Sequence, residues 1–285
     1  MKDKIIIEIL GSDICTLYGE RGNAEYLKAR LENYGVSVQM EQDKIGTQPF
    51  FAENMPDIIL IPPTDEVQQV TLIEKLLPLK QRLFELIEKE TVILATGNSR
   101  EIFGKEILDY KGNSLIGLGL TEQTAKQLFK LRYNENCVGI FENIQIVGYK
   151  NQLSHSYNYN KNPLFTMIKG TGDNPGGNGS LENFELCDCH FEMSGSEKNL
   201  KPDVLSEPQA KNFSCVTPAG DGITDVGPAE GIRIKNLFAT YILGPILPLN
   251  PYFTDYLLDI MLGEIKEKKY LPFELEAYAD RLGEQ

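Results

Sequence analysis

Residues with reactive side chains are few in this 285-residue chain: it holds two histidines, His155 and His190, and five cysteines, Cys15, Cys137, Cys187, Cys189 and Cys215. One cluster stands out. Cys187-Asp188-Cys189-His190, with Cys215 downstream, offers the soft ligands that zinc takes. Its C-x-C-H spacing lacks the two to four residues that usually separate paired cysteines in structural zinc sites. The competing reading is a half-buried strand over 184–191. A period of two then sets Cys187, Cys189 and Phe191 on one face, and the spacing favours that strand. Gly172-Asp173-Asn174-Pro175-Gly176-Gly177-Asn178-Gly179 suggests a phosphate cradle. It lacks the Lys-Ser/Thr of a P-loop and does not join a strand to a long helix, so a turn is expected and no cofactor. Cys15 has only Arg21 nearby to lower its pKa, and a buried, inert thiol is the expectation there.

The elements that would position such groups follow from hydrophobic periodicity. Ile5–Leu10, Val36–Met40, Ile58–Ile61 and Val92–Ala95 are short β-branched or apolar runs of the buried-strand kind. Between them, Ala24, Leu27, Leu31 and Tyr34 recur at helical spacing, with Gly35 as C-cap. Asp65 is placed to cap a helix carrying Val67, Val70, Ile73 and Leu77; Pro78 interrupts it, and Leu79, Leu83 and Ile87 continue on a second helix. A short helical segment, Ser99–Phe103, follows Thr96-Gly97-Asn98. This alternation predicts a three-layer α/β/α sandwich around a mainly parallel sheet. Cys137–Phe141 and Ile144–Tyr149 read as an antiparallel hairpin although their turn, Glu142-Asn143, has no glycine. Residues 173–230 hold five of the 15 prolines and seven of the 25 glycines with little apolar periodicity, so they read as a loop-rich insertion within a single 1–285 domain. Leu237–Ile242 resumes regular structure, two helical patterns end the chain (Tyr252–Met261 and Phe273–Leu282), and the Lys266-Glu267-Lys268-Lys269 run reads as a solvated helix end.

Charge narrows the partners. With 41 acidic against 28 basic residues the formal net charge is −13, which repels phosphate backbones and anionic lipid, so neither nucleic acid nor a membrane surface is expected. No apolar run reaches spanning length; Leu237 to Leu249 is broken by Gly244, Pro245 and Pro248. An odd cysteine count, and an amino terminus that reads as a first strand, point to a reducing cytoplasm.

Several segments resemble one family in order along the chain. Leu17-Tyr18-Gly19-Glu20-Arg21-Gly22-Asn23 resembles the L-Y-G-D-R-G-N opening of cobyric-acid-synthase-type class I glutamine amidotransferases, most of all the amidotransferase subunit of lipid II isoglutaminyl synthases. Val147-Gly148-Tyr149-Lys150-Asn151-Gln152 is similar to the family's V-G-F-E-N-H, Gly170-Thr171-Gly172-Asp173-Asn174 to its G-x-G-N-N, and Glu230-Gly231 to its E-G. Thr240-Tyr241-Ile242-Leu243-Gly244-Pro245-Ile246-Leu247-Pro248-Leu249-Asn250-Pro251 is similar to T-Y-L-H-G-P-x-L-P-x-N-P. The resemblance implies a glutaminase fold in which a cysteine on a strand-to-helix turn attacks the glutamine amide, a histidine serves as base, and ammonia passes to a Mur-ligase-like synthetase. Such chemistry needs a thiol, an adjacent base and backbone donors for the tetrahedral oxyanion.

This chain departs from the pattern at each of those parts. The family's A-x-C-G-G-x-Q-L-L-G falls on Ala95 to Gly104, which puts Gly97 at the nucleophile position and Glu101 at the glutamine. The histidine of the tail motif falls on Leu243, and the G-G-G-x-D turn becomes Ile61-Pro62-Pro63-Thr64-Asp65, where proline has no N–H to donate. Thr96 and Ser99 have no evident base beside them; a shifted alignment would put His155 at a second family histidine. The expectation is a pseudo-amidotransferase, with a degenerate pocket at Pro62, Pro63, Thr64, Thr96, Gly97, Asn98, Gln152 and Leu243, acting as a binding or regulatory subunit beside a synthetase. Two alternatives stay open: an active glutaminase subunit supplying ammonia for a cell-wall precursor or a corrinoid, and a metal-binding variant built on Cys187, Cys189, His190 and Cys215. The Leu17–Asn23 loop is expected to serve the fold or the partner interface, with a Glu20–Arg21 ion pair and a helix opened by Gly22-Asn23.

Overall fold

A computed structural model describes residues 2–89, 91–128, 131–157, 162–174 and 227–283. In chain order the elements are β1 (Lys4–Ile9), α1 (Gly22–Asn33), β2 (Ser37–Gln42), β3 (Ile58–Ile61), α2 (Glu66–Leu76), α3 (Lys80–Glu88) and β4 (Val92–Thr96), followed by a 3-10 turn over Gly97–Phe103. Next come β5 (Glu106–Leu108), β6 (Ser114–Ile116), β7 (Thr124–Gln127), β8 (Tyr133–Phe141), β9 (Ile144–Gln152), β10 (Ser154–Tyr157) and β11 (Phe165–Lys169). The last are β12 (Ala229–Glu230), β13 (Ile232–Ile234), β14 (Leu237–Thr240), β15 (Ile242–Leu243), α4 (Ile246–Leu249), α5 (Pro251–Leu262) and α6 (Glu274–Gly283).

One sheet has the strand order β13-β14-β4-β3-β1-β2, with β14, β4, β3, β1 and β2 parallel and β13 antiparallel at one edge. Its strands are apolar at successive positions because alternate residues enter two different cores. Ile58 and Leu60 join Val92 and Leu94 in one core, under Leu27 and Leu31 of α1 and Leu257 and Leu258 of α5. Ile59 and Ile61 join Ile93 and Ala95 in the other, under Leu72 and Ile73 of α2 and Leu83 and Leu86 of α3. The helices required for parallel crossovers therefore bury their apolar stripes against the sheet that needs covering.

The β8–β9 hairpin forms as expected. Glu142 supplies the left-handed turn residue, φ +53°, in place of glycine. It belongs to a five-stranded sheet, β12-β11-β8-β9-β15. A further four-stranded sheet, β10-β7-β5-β6, comes from residues whose strands are too short and polar to show a clear period.

Three local expectations need correction. Asp65 does cap α2, accepting from Val67 N at 3.0 Å and Gln68 N at 2.8 Å. However, α2 buries Gln69, Leu72, Ile73 and Leu76, leaving Val67 75% and Val70 37% exposed. The apolar stripe inferred from Val67 and Val70 thus faces outward. Residues 266–269 are not a helix end but part of the α5–α6 connection, where Lys268 pairs with Asp259 at 2.5 Å and Lys269 N donates to Tyr34 Oη. No Glu20–Arg21 pair forms among the described residues. Glu20 is buried, and Asn23 lies inside α1 with its side chain bridging Glu20 and Leu247 N. The α2 cap gives a direct check: Asp65→Ala is expected to lower unfolding free energy by about 1 kcal/mol, read as a lower denaturant midpoint at constant slope.

Candidate functional site

The carboxyl ends of parallel strands are where open α/β sheets bind ligands. Here β4 ends at Thr96 and turns at Gly97, whose φ is +59°, a conformation that glycine adopts without strain. The turn has the shape needed to push one side chain out above the sheet. It has no room for one: a β-carbon at position 97 would lie 2.7 Å from Pro63 Cβ and 3.2 Å from Leu243 Cδ2. Positions 97 and 243 are thus neighbours, and an apolar pair fills the space between them.

Beside this turn is a cavity of about 270 Å³. Six of the residues expected to form a pocket line it: Pro63, Thr64, Gly97, Asn98, Gln152 and Leu243. Pro62 and Thr96 do not. Leu17 and Tyr18, assigned above to fold or interface, form part of the wall, with Tyr18 in a left-handed conformation, φ +59°. Sequence reasoning did not place Glu101, Arg132, Asn151 or Tyr241 in the pocket, although all but Arg132 fall within the family motifs. The one available signal was an ionisable residue, Glu101, one turn beyond the elbow. Among the described residues Arg132 is the only cation of the lining; its Nε donates to Asn151 Oδ1 at 2.7 Å.

The remaining parts of a hydrolytic site are committed elsewhere. Pro62 and Pro63 have no N–H, and the next donor, Thr64 N, is taken by Asn98 Oδ1 at 3.1 Å, while Asn98 Nδ2 donates back to Thr64 O at 2.8 Å. Ser99 Oγ donates to Pro62 O at 2.6 Å. Thr96, contrary to expectation, has a carboxyl close by: Glu20, which accepts from Gly244 N at 2.7 Å and from Asn23 Nδ2 at 2.6 Å. His155 is fully buried in β10 with Nε2 2.6 Å from Leu131 O, and it does not line the cavity.

Under the cavity lies a buried polar network. Arg100 pairs with Asp173 and lies 3.6 Å from Glu230; Lys150 lies 3.9 Å from Glu230 and donates to Thr171 O and Gly172 O. Tyr241 Oη donates to Glu101 at 2.9 Å and meets Ser156 Oγ at 2.7 Å, while Gln69 Nε2 donates to Glu101 at 3.0 Å. Burial pushes Glu101 up to about 7, despite hydrogen bonds from Gln69 and Tyr241 that favour the anion. Protonated Glu101 has the same shape and one neutral polar head, as glutamine would at that position.

Burial likewise raises Glu8 and Glu20 to about 7. All three stay protonated in the fold while the unfolded chain ionises near the ordinary value of about 4.3. Their contribution to stability is complete below that value and is lost as pH rises through 7. Denaturant midpoints are therefore expected to fall from pH 5 to pH 7.5 and then level, with Glu101→Gln flattening the slope. A midpoint rising over that range in the parent would contradict the assignment.

Burial pushes the Cys15 and Cys137 thiols up to about 12, so neither is a ready nucleophile. Among the described residues no group of three or more His, Cys, Asp or Glu is placed to hold a metal. Cys187, Cys189, His190, Cys215 and most of the 173–230 stretch lie outside the described residues, as does all of the glycine-rich run after Asn174. Among the described residues no helix is long and apolar enough to cross a membrane.

No family model matches the chain. It is similar over most of its length to the GatD subunit of the glutamine-hydrolysing lipid II isoglutaminyl synthase of Streptococcus pneumoniae: 23% identity over 276 residues, 97% of this chain and 86% of that protein. A 55-residue stretch, 19% of this chain, is 49% identical to the GatD subunit of the same enzyme from Staphylococcus aureus and covers 21% of that protein. A crystal structure of a glutamine amidotransferase aligns with 90% of this chain and 98% of its own, at 11% identity and a TM-score of 0.44.

Proposed function

We propose that this glutamine amidotransferase-like chain does not hydrolyse glutamine, and acts as a binding or regulatory subunit beside a Mur-ligase-like synthetase in an amidation complex. The observation that carries the reading is the packing at Gly97. The turn that would present a nucleophile has none, and Pro63 and Leu243 occupy the space such a side chain would need. Leu243 cannot take a proton, and Thr64 N, the first donor after the two prolines, is already bonded to Asn98. The likeness to GatD subunits, which belong to a lipid II isoglutaminyl synthase, is the reason to place the partner among synthetases. The same reading takes the chain as one cytoplasmic domain of three-layer α/β/α form and of the cobyric-acid-synthase type. Residues 173–230 are an insertion within that domain, and the cavity beside Gly97 is a retained binding pocket.

One observation favours a second reading, in which the chain is an active glutaminase. Thr96 lies close to the Glu20 carboxyl, which could serve as its base once ionised, above about pH 7. Against this, Thr96 is buried and does not line the cavity, so its hydroxyl has no path to a substrate there. The two readings part on one experiment. The purified chain, alone and with its synthetase, is expected to release no glutamate from glutamine and to form no covalent adduct with an electrophilic glutamine analogue. Sustained release that Thr96→Ala abolishes would establish the second reading instead.

A further inference from the structure

The outward face of α2 is a feature that the cavity does not explain. Val67 and Val70 are 75% and 37% exposed, and across a groove of about 520 Å³ they face the β5–β6 hairpin, where Tyr110 is 58% exposed. Ile116, on β6 itself, is 61% exposed. Isolated exposed apolar residues are ordinary, but three lining one groove, with Ile116 on the adjoining strand, are the pattern of an interaction surface. β6 is also the last strand of its sheet, paired only with β5 among the described residues, so one edge is open to a further strand. The hairpin is held in shape independently of any partner: Asp109 accepts from the backbone N–H groups of Lys111 and Asn113, both at 2.8 Å.

We propose that the groove between α2 and the β5–β6 hairpin is the docking surface for a partner protein that presents apolar side chains ringed by lysine or arginine. The charge argument selects that occupant. Among the described residues the groove lining contains two carboxylates, Glu66 and Asp109, and no base; the one cation beside it, Lys111, lies over the Tyr110 ring of the lining, 5.3 Å from its centroid. A second copy of this chain is a poor occupant. A two-fold contact would bring the two carboxylates of one groove against those of the other, on a molecule of net charge −13. The groove also adjoins the cavity. Glu66 lines both, and Gln69, in the groove lining, donates to Glu101 in the cavity. A partner seated on α2 would therefore touch the helix that positions Glu101. The inference deepens the subunit reading above and rests on it for the existence of a partner.

The test uses the full-length chain in its native cells, with the photoreactive residue p-benzoylphenylalanine in place of Tyr110 or, as a control on another exposed aromatic, in place of Phe273. One partner protein is expected to cross-link at 110 and not at 273, through a peptide rich in apolar and basic residues. With that partner purified, Val67→Asp and Tyr110→Asp should each raise its Kd at least about tenfold while circular dichroism stays unchanged. Binding should weaken as salt rises. Cross-linking only to a second copy, cross-linking to nothing, or a Kd unmoved by both variants would overturn the proposal. Glutamate release by the isolated complex is measured separately and reports only on whether the subunit is catalytic, so the two readings fail on different results.

Discussion

Gly97→Cys combined with Leu243→His is expected to release no glutamate from glutamine and to unfold at a lower denaturant concentration than the parent. The double variant restores the residue types of a thiol–imidazole pair but not the space they need. A β-carbon at 97 lies 2.7 Å from Pro63 Cβ, which is ring carbon fixed to the backbone and cannot swing away. Overpacking of this kind costs about 1–3 kcal/mol, and a side chain at φ +59° adds strain that glycine escapes. Adding Pro63→Gly should recover part of the stability by opening that space. Turnover should still be absent in the triple variant, because Thr64 N is already given to Asn98 and is not free for the oxyanion. Measurable turnover in the double variant would mean that Pro63 yields and that donors exist. The argument from packing would then be wrong.

The legible parts of this molecule were those set by hydrophobic pattern. Ile58–Ile61 and Val92–Ala95 are buried on both sides, so their runs name strands of a covered sheet without help from anything distant. The bare turn at Gly97 was legible for a different reason: a motif match shows an absent side chain directly. What the match could not show is that the space is filled, since Pro63, Gly97 and Leu243 meet only through the fold. Arg132 escaped notice because it follows a loop and stands in no local pattern, and Tyr241, though part of the tail motif, separates two short strands whose placement at the cavity only the fold shows. The outward turn of Val67 was missed because two helix registers fit the sequence, and burial of polar Gln69 against Glu101 decides between them. The β5–β7 strands are of three or four residues, below the length at which alternation can be counted.

The same turn that lacks a nucleophile carries a buried cation, and removing it should have the largest effect on stability. Arg100 is fully buried, three residues after Gly97, with both terminal nitrogens on Asp173 and one also 3.6 Å from Glu230. Asp173 is engaged further: its Oδ1 accepts from Gly231 N at 2.9 Å, and its own N–H donates to Ala229 O at 3.0 Å. The pair thus ties the elbow turn to the two flanks, 173 and 229–231, of the long stretch between them. Arg100→Met leaves Asp173 and Glu230 with Lys150 as the one remaining buried cation, and is expected to cost about 3–5 kcal/mol. Asp173→Asn alone should also destabilise, by leaving the guanidinium short of charge. The double variant should be less destabilised than the sum of the two, since an uncompensated charge in each single variant is absent from the double. Denaturant unfolding of the four proteins measures that coupling directly. Strict additivity would show that Arg100 and Asp173 act independently, and would remove the reason to regard the elbow as a structural clamp.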